Sequence, residues 1–330
     1  MGHASMKTTE MGKEHVNSYK TGLVYDPLYR EHQPGAGHPE SPERCNAVMR
    51  GIAESVPENV LVRLKPRAAT EEEIALCHTH EYMKAVRRDV ESGFRCLSTG
   101  DTDISERSLE AAFLAVGGVL TAVDAVVEGT VSNAFCVVRP PGHHATRDRG
   151  MGFCIFNNVA IAARHAQMKH GVDRILIADW DVHHGNGTQS IFYDDPSVFY
   201  FSTHQWPHYP GTGTVHEAGT GEGMGFTLNC PLPAGSGRHE ILGAFTEKLV
   251  PAMERFKPEL VLISAGFDCR IHDPIGGFML TDRDLSDLTG IVLDIADRHA
   301  DGRLVSVLEG GYNLSGLASA AGAHVERMSR

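Results

Sequence analysis

No cysteine in this 330-residue chain has a partner at C-x-x-C spacing. The seven thiols (Cys45, Cys77, Cys96, Cys136, Cys154, Cys230 and Cys269) are odd in number and scattered. That pattern argues against a disulfide framework and a thiolate zinc site, and leads us to expect reduced thiols and a cytoplasmic location. Positive charge is also short. Thirty Lys and Arg against 42 Asp and Glu leave a formal net charge of −12. A protein that holds nucleic acid through its phosphates needs the opposite sign, so no nucleic-acid partner is expected. An acidic surface serves solubility and is compatible with a cationic substrate. No apolar stretch reads as long enough to span a bilayer, and the amino terminus has no hydrophobic signal core, so no membrane partner is expected. A Pro/Ser-rich linker and internal repeats are missing too. Residues 1–20 read as a tag remnant (Met1 to Ser5, before Met6) followed by a loosely ordered polar segment.

What is present is a composition with 42% apolar and 22% charged residues, ordinary for a globular core. Short β-branched and aliphatic runs read as strands at 21–25, 60–64, 134–138, 175–178, 197–202, 226–230, 259–264 and 303–308. Between them, helices are expected from Ser41 with Pro42 in the first turn, after the Thr70 cap, and over 81–92, 108–127, 157–169, 240–256 and 281–298. The alternation predicts one α/β domain, 21–330, with a doubly covered and mainly parallel sheet.

Three of these buried runs end in polar clusters. They are His143-His144, the stretch Asp179-Trp180-Asp181-Val182-His183-His184, and Asp268. A fourth ends in Gly310-Gly311-Tyr312. Strand carboxyl ends in a parallel sheet share one edge, where ligands bind. If strand geometry persists past Ala178, Asp179, Asp181 and His183 share a side. Single carboxylates at such places cap loops and helices. Several together are costly to bury unless paired or bound to a metal. Asp181, His183 and Asp268 make a three-ligand oxygen and nitrogen set, with room left for water or substrate, the catalytic arrangement of zinc. Next to it, His143 and His144 can divide the tasks of base and acid, with Asp179 and Asn186 as candidate partners that would make them titrate differently. Tyr312 can donate to a developing oxyanion. Phe153 and Tyr209 sit in glycine-rich loops and can wall a slot. His184, His204, His208 and His216 read as neighbours of the site or surface groups.

Five motifs then carry a family likeness: Pro140-Pro141-Gly142-His143-His144-Ala145, Gly152-Phe153-Cys154, Asp179 to Gln189, Ser264-Ala265-Gly266-Phe267-Asp268, and Leu308-Glu309-Gly310-Gly311-Tyr312-Asn313. In this order they resemble the histone deacetylase family, which includes acetylpolyamine amidohydrolases and bacterial histone deacetylase-like amidohydrolases. Asn186 and the Trp-Asp-Val wording resemble the class II branch, since class I members carry aspartate where Asn186 stands. The resemblance implies a single-domain, three-layer α/β/α arginase/deacetylase fold and hydrolysis of N-acetyl or N-acyl-lysine to amine and acetate. It implies one zinc on Asp181, His183 and Asp268, with His143 as general base, His144 as general acid or electrostatic partner, and Tyr312 as oxyanion donor. Gly152, Phe153 and Tyr209 would line the acyl-lysine tunnel. Asp101 would be the rim aspartate, with Asp103 as the alternative. Arg44 matches an arginine of an internal acetate-release channel. Two structural potassium ions are implied, one at Asp179, Asp181, His183, Ser202 and Thr203, the other at Phe192, Asp195, Val198 and Phe226.

Substrate choice turns on one position. Polyamine-preferring class II relatives have a glutamate at the tunnel rim where Ile275 stands, and an isoleucine cannot pair with a distant ammonium. The loop 96–105 also lacks the long insertion with which some acetylpolyamine amidohydrolases dimerise. An acyl-lysine peptide, protein or small acylated amine is therefore the expected substrate. The alternatives are an acetylpolyamine amidohydrolase, a binding module with little turnover, or an arginase-like hydrolase, which would need a second metal and more bridging carboxylates.

Overall fold

The structure, a computed structural model, describes residues 20–330. The tag remnant and loose segment expected at the start thus lie, up to residue 19, outside the described residues. Eight strands form one sheet: β1 (Thr21–Val24), β2 (Leu61–Leu64), β3 (Asn133–Cys136), β4 (Ile175–Asp179), β5 (Val198–Gln205), β6 (Thr227–Leu232), β7 (Leu260–Ala265) and β8 (Leu304–Leu308). Their spatial order is β2-β1-β3-β8-β7-β4-β5-β6. Every pairing is parallel. The central strands are buried at every residue, as their unbroken apolar runs require of a sheet covered on both faces.

Among the described residues, ten α-helices cover it: α1 (Glu43–Ser55), α2 (Glu71–Ile74), α3 (His80–Glu91), α4 (Ser108–Val127), α5 (Asn158–His170), α6 (Asn186–Ile191), α7 (Arg238–Ala244), α8 (Val250–Phe256), α9 (Asp282–His299) and α10 (Leu314–Met328). Six of them form two packed groups. One joins α1, α10 and α9, and the other joins α3, α4 and α5. The four strands whose ends bear polar clusters, β3, β8, β7 and β4, are neighbours in the middle of the sheet. Their clusters therefore meet.

Several expectations need correction. The α4 helix is long and apolar enough to cross a membrane. In the fold it is a core helix packed on β1, β3, β8 and α5, and buried helices are apolar nearly all round. The helix expected from Ser41 begins at Glu43, with Pro42 as its cap residue. The helix expected over 240–256 starts at Arg238 and opens into a π-turn at Phe245–Leu249, just before Pro251. A proline there has no N–H for the regular ladder, and the wider turn absorbs the gap. Two helices were not foreseen. The α6 helix directly follows the histidine stretch. The α10 helix is rich in Ala, Ser and Gly, so its polar and apolar faces are weakly marked, although its Asn313 cap accepts from Gly316 N at 3.0 Å.

Candidate active site

Strand geometry ends at Asp179, not beyond it. Side chains take over the next turn. Asp179 Oδ1 accepts from Asp181 N at 3.1 Å, and Asp181 Oδ1 accepts from His183 N at 2.9 Å. Each aspartate thus caps the backbone two residues on, a local habit of this residue type. Capping leaves the outer atoms free to converge. His183 Nδ1 lies 3.0 Å from Asp181 Oδ1 and 3.3 Å from Asp268 Oδ2. Asp268 arrives from the end of β7, and its Oδ1 accepts from Val182 N at 2.9 Å. Its buried Oδ2 has no aligned hydrogen bond. Such an orphaned carboxylate oxygen is costly, and a cation removes the cost.

Glycine makes this closeness possible. Gly310 N donates to Asp181 Oδ2 at 2.8 Å. A Cβ at Gly310 would come within 2.0 Å of Asp268 Oδ2 and 2.5 Å of Asp181 Oδ2. Gly311 has φ +118°, so the chain turns there and Tyr312 faces the cluster's pocket.

Electrostatics separate the groups. Burial raises the Asp268 carboxyl, and the charge of Asp181 adds to this, so it is pushed up to about 7. Burial works against ionised Asp181 as well, but His143 and His183 outweigh it and hold that carboxyl well below the usual range. His183 would be lowered by burial, yet Asp181 and Asp268 push it up to about 10. A dication held by the same two carboxylates would compete with that proton for His183 Nδ1.

The two adjacent histidines differ as their partners do. His143 Nδ1 is 3.0 Å from Asp179 Oδ2, which also accepts from Tyr200 Oη at 3.1 Å. His144 Nδ1 is 2.8 Å from Asn186 Oδ1. The rings lie 4.0 Å apart. For His143, burial lowers the pKa, but Asp179 and Asp181 override it and push it up to about 10. For His144, burial and then the neighbouring His143 and His183 hold it well below the ordinary imidazole value. An Asn186→Asp substitution puts a full charge beside His144 and should raise its pKa. A proton NMR titration of the His144 ring checks this by a midpoint moved to higher pH; an unmoved midpoint would show that Asn186 does not set its basicity.

A pocket of about 240 Å³ opens above these groups, lined by Asp101, His144, Gly152, Phe153, His183, Tyr209, Ile275 and Tyr312. Phe153 meets Tyr312 edge-on with centroids 5.9 Å apart, and Tyr209 meets His144 edge-on at 5.2 Å. At the mouth, Asp101 accepts from Gly152 N at 2.8 Å and Tyr209 Oη at 3.1 Å. Asp103 faces away, toward His38 at 3.8 Å.

Of the remaining sequence-predicted residues, Ser202 pairs with Asp179 across β4 and β5, and Thr203 follows it. Both are buried. Phe192, Asp195, Val198 and Phe226 gather at the opposite end of β5. Phe192 O accepts from Asp195 N at 3.1 Å, and Phe226 O from Tyr200 N at 2.9 Å. The Asp195 carboxylate is taken by Arg164 at 2.6 Å, so only its backbone is available. His184 and His204 are buried polar groups, whereas His216 is exposed. His208 stacks nearly parallel on His183 with centroids 4.9 Å apart.

Three carboxylates went unnoticed in the sequence. Glu309 accepts from Gly142 N at 2.7 Å and His143 N at 3.2 Å, so it fixes the His-His turn. Burial pushes its pKa up to about 7. It ends β8 as Asp268 follows β7, and that position was its signal. Asp273 holds Tyr312 N at 2.7 Å, and Glu40 braces Arg44 and Arg139; neither has a local pattern.

The chain matches the model of the histone deacetylase domain over residues 38–328. The chain belongs to the histone deacetylase family. It is similar to a probable deacetylase of Archaeoglobus fulgidus, 42% identical over 90% of this chain and 82% of the relative. It is also similar to the histone deacetylase-like amidohydrolase of Pseudomonas aeruginosa (39%, covering 84% and 73%) and to human polyamine deacetylase HDAC10 (43%, covering 84% and 43%). Among solved structures, the HDA15 HD domain superposes with a TM-score of 0.89 at 36% identity, over 94% of this chain and 90% of that one. The fold is thus the three-layer α/β/α arginase/deacetylase fold, and the protein is a hydrolytic deacetylase that acts on amides.

Proposed function

We propose that this deacetylase is zinc-dependent and removes acyl groups from lysine side chains of peptides, proteins or small acylated amines. The observation that carries the reading is the buried Asp268 Oδ2, left without a hydrogen bond beside Asp181 and His183 on the floor of an aromatic slot. Those three residues would hold the metal through one nitrogen and carboxylate oxygens, a donor set that suits zinc. When bound, zinc supplies a Lewis acid for a carbonyl and acidifies water, and its charge offsets the carboxylate field on His143.

The protein's own groups do the rest. Asp179 fixes the His143 ring, whose Nε2 takes the proton of the attacking water. His143 then gives that proton to the leaving nitrogen as the C–N bond breaks, while His144, steered by Asn186 and held neutral by its burial and neighbours, is the electrostatic partner beside it. Tyr312 donates its phenol to the developing oxyanion. Burial raises its pKa well above the ordinary value, so the phenol keeps its proton at neutral pH. Phe153 and Tyr209 take the lysine methylenes between them, at about 0.8 kcal/mol per buried CH₂. Asp101 holds the substrate backbone at the mouth. Backbone oxygens at Asp179, Asp181, His183, Ser202 and Thr203, and at Phe192, Asp195, Val198 and Phe226, would hold two potassium ions that set the strand ends. The reduced thiols fit a cytoplasmic setting.

The similarity to human polyamine deacetylase HDAC10 favours a second reading, an acetylpolyamine substrate. Ile275 in the pocket wall speaks against it, because it offers no charge to a second ammonium. The two are separated by kcat/KM for acetyl-lysine peptides, longer acyl-lysines, acetylspermidine and acetylputrescine, measured side by side. Faster turnover of the acetylpolyamines would sink the acyl-lysine reading. Ile275→Glu should raise the acetylspermidine to acetyl-lysine preference by roughly 5-fold, the worth of one solvent-exposed charge pair. An unchanged ratio would remove Ile275 from selectivity.

A further inference from the structure

Among the described residues, two groups of three ligating side chains bring donor atoms within 4.8 Å of one another. One lies in the catalytic pocket. The other is Asp124, His165 and His170, and the deacetylation chemistry makes no use of it. We propose that these three residues form a second binding site, for a transition-metal dication of the zinc class, that staples α4 to the end of α5.

The geometry is convergent. Asp124 Oδ1 lies 2.8 Å from His165 Nε2 and 2.7 Å from His170 Nε2. The two rings are 6.0 Å apart and inclined by 75°, so they approach that oxygen from different directions. Lys169 Nζ takes the other oxygen, Oδ2, at 2.7 Å. This ammonium neutralises the carboxylate, which leaves Oδ1 to the two imidazole nitrogens alone. Behind His165, Glu73 Oε1 lies 3.9 Å from Nδ1. That carboxylate is paired with Arg67 at 2.5 Å, so it adds negative charge near the far nitrogen without a hydrogen bond to it.

The donors are shielded and rigidly mounted. Side-chain exposure is 19% for Asp124, 7% for His165 and 11% for His170. Two of them stand inside packed helices, so ordering costs little on binding. His170 is the last residue of α5, before Gly171 at φ +67°. It can withdraw slightly, since tetrahedral zinc bonds of about 2.0–2.1 Å place donors about 3.3 Å apart. Two imidazoles select zinc, nickel or cobalt over magnesium and calcium. Both helices run into the amino-terminal ends of strands. The cluster therefore lies toward the sheet edge opposite the catalytic pocket, and binding there should leave catalysis alone.

The test is a zinc titration of the desalted holoenzyme by calorimetry, with bound metal counted by atomic emission. Wild type should take up one equivalent that His170→Ala loses or binds at least 10-fold more weakly. Asp124→Asn should lose the same equivalent, and kcat/KM of both variants should stay within 2-fold of wild type. Zinc uptake identical in wild type and both variants would overturn the site, as would the absence of any equivalent beyond the catalytic one.

Discussion

Tyr312→Phe should lower kcat by about 10²–10³-fold, the cost of removing one oxyanion-hole donor. Zinc content and thermal stability should stay as in wild type. The reason lies in what holds the residue. Its backbone is fixed by Asp273 Oδ2 at 2.7 Å, and its ring lies under the Arg44 guanidinium with 5.0 Å between Cζ and the centroid. A phenylalanine keeps that backbone tie and the cation–π contact and loses only the hydroxyl. The Asp181, His183 and Asp268 cluster has no bond to that hydroxyl. KM for an acetyl-lysine peptide should therefore change little, because the missing interaction belongs to the transition state. Steady-state kinetics with metal analysis on the same sample checks this. Turnover within a few-fold of wild type would assign oxyanion stabilisation elsewhere.

The second large effect is on stability. Glu40 is fully buried between two fully buried arginines. It binds Arg44 Nη1 at 2.9 Å and Arg139 Nη2 at 2.6 Å, with His32 Nε2 at 3.4 Å. Burial alone would raise its pKa, but Arg139, His32 and Arg44 outweigh it and hold the carboxyl well below the usual range. A depressed folded pKa means the stabilisation is present above the unfolded carboxylate value. It is lost only as pH falls through the folded one. Glu40→Gln discards that charge at every pH and leaves two buried cations without an anion, at a cost of about 3–5 kcal/mol. Urea unfolding at neutral pH should show it as a lower midpoint at unchanged slope. The damage should reach the site as well. Arg44 also donates to the carbonyls of Glu309 and Gly311, so it braces the turn that carries Tyr312. A midpoint equal to wild type would mean that the arginines find other partners.

Much of the site was legible because period and topology act locally. A buried strand announces itself by an apolar run, and parallel strands deliver their ends to one edge. That is why Asp181, His183 and Asp268 could be grouped across 87 residues of chain, and why Asp179 and Asn186 could be paired with the right histidines. Individual side-chain directions are a different matter. Alternation was expected to align Asp179, Asp181 and His183, yet the strand stops at Asp179 and aspartate caps do the aligning. Asp101 and Asp103 could not be told apart along the chain, because a loop has no period. Asp101 is placed by its bonds to Gly152 N and Tyr209 Oη, from segments 51 and 108 residues away.

The sequence by itself determined the fold class, the edge at which chemistry gathers and the residue types brought there, since apolar runs and strand-end motifs encode all three. Only the tertiary structure decided what supports them. Glu40, Arg44 and Arg139 form one buried ion network across 99 residues. Glu309 reaches the His143 turn across 166 residues, and His165 reaches Asp124 across 41. Charges become partners when packing removes the water between them. No local pattern in the chain records which distant charge that will be.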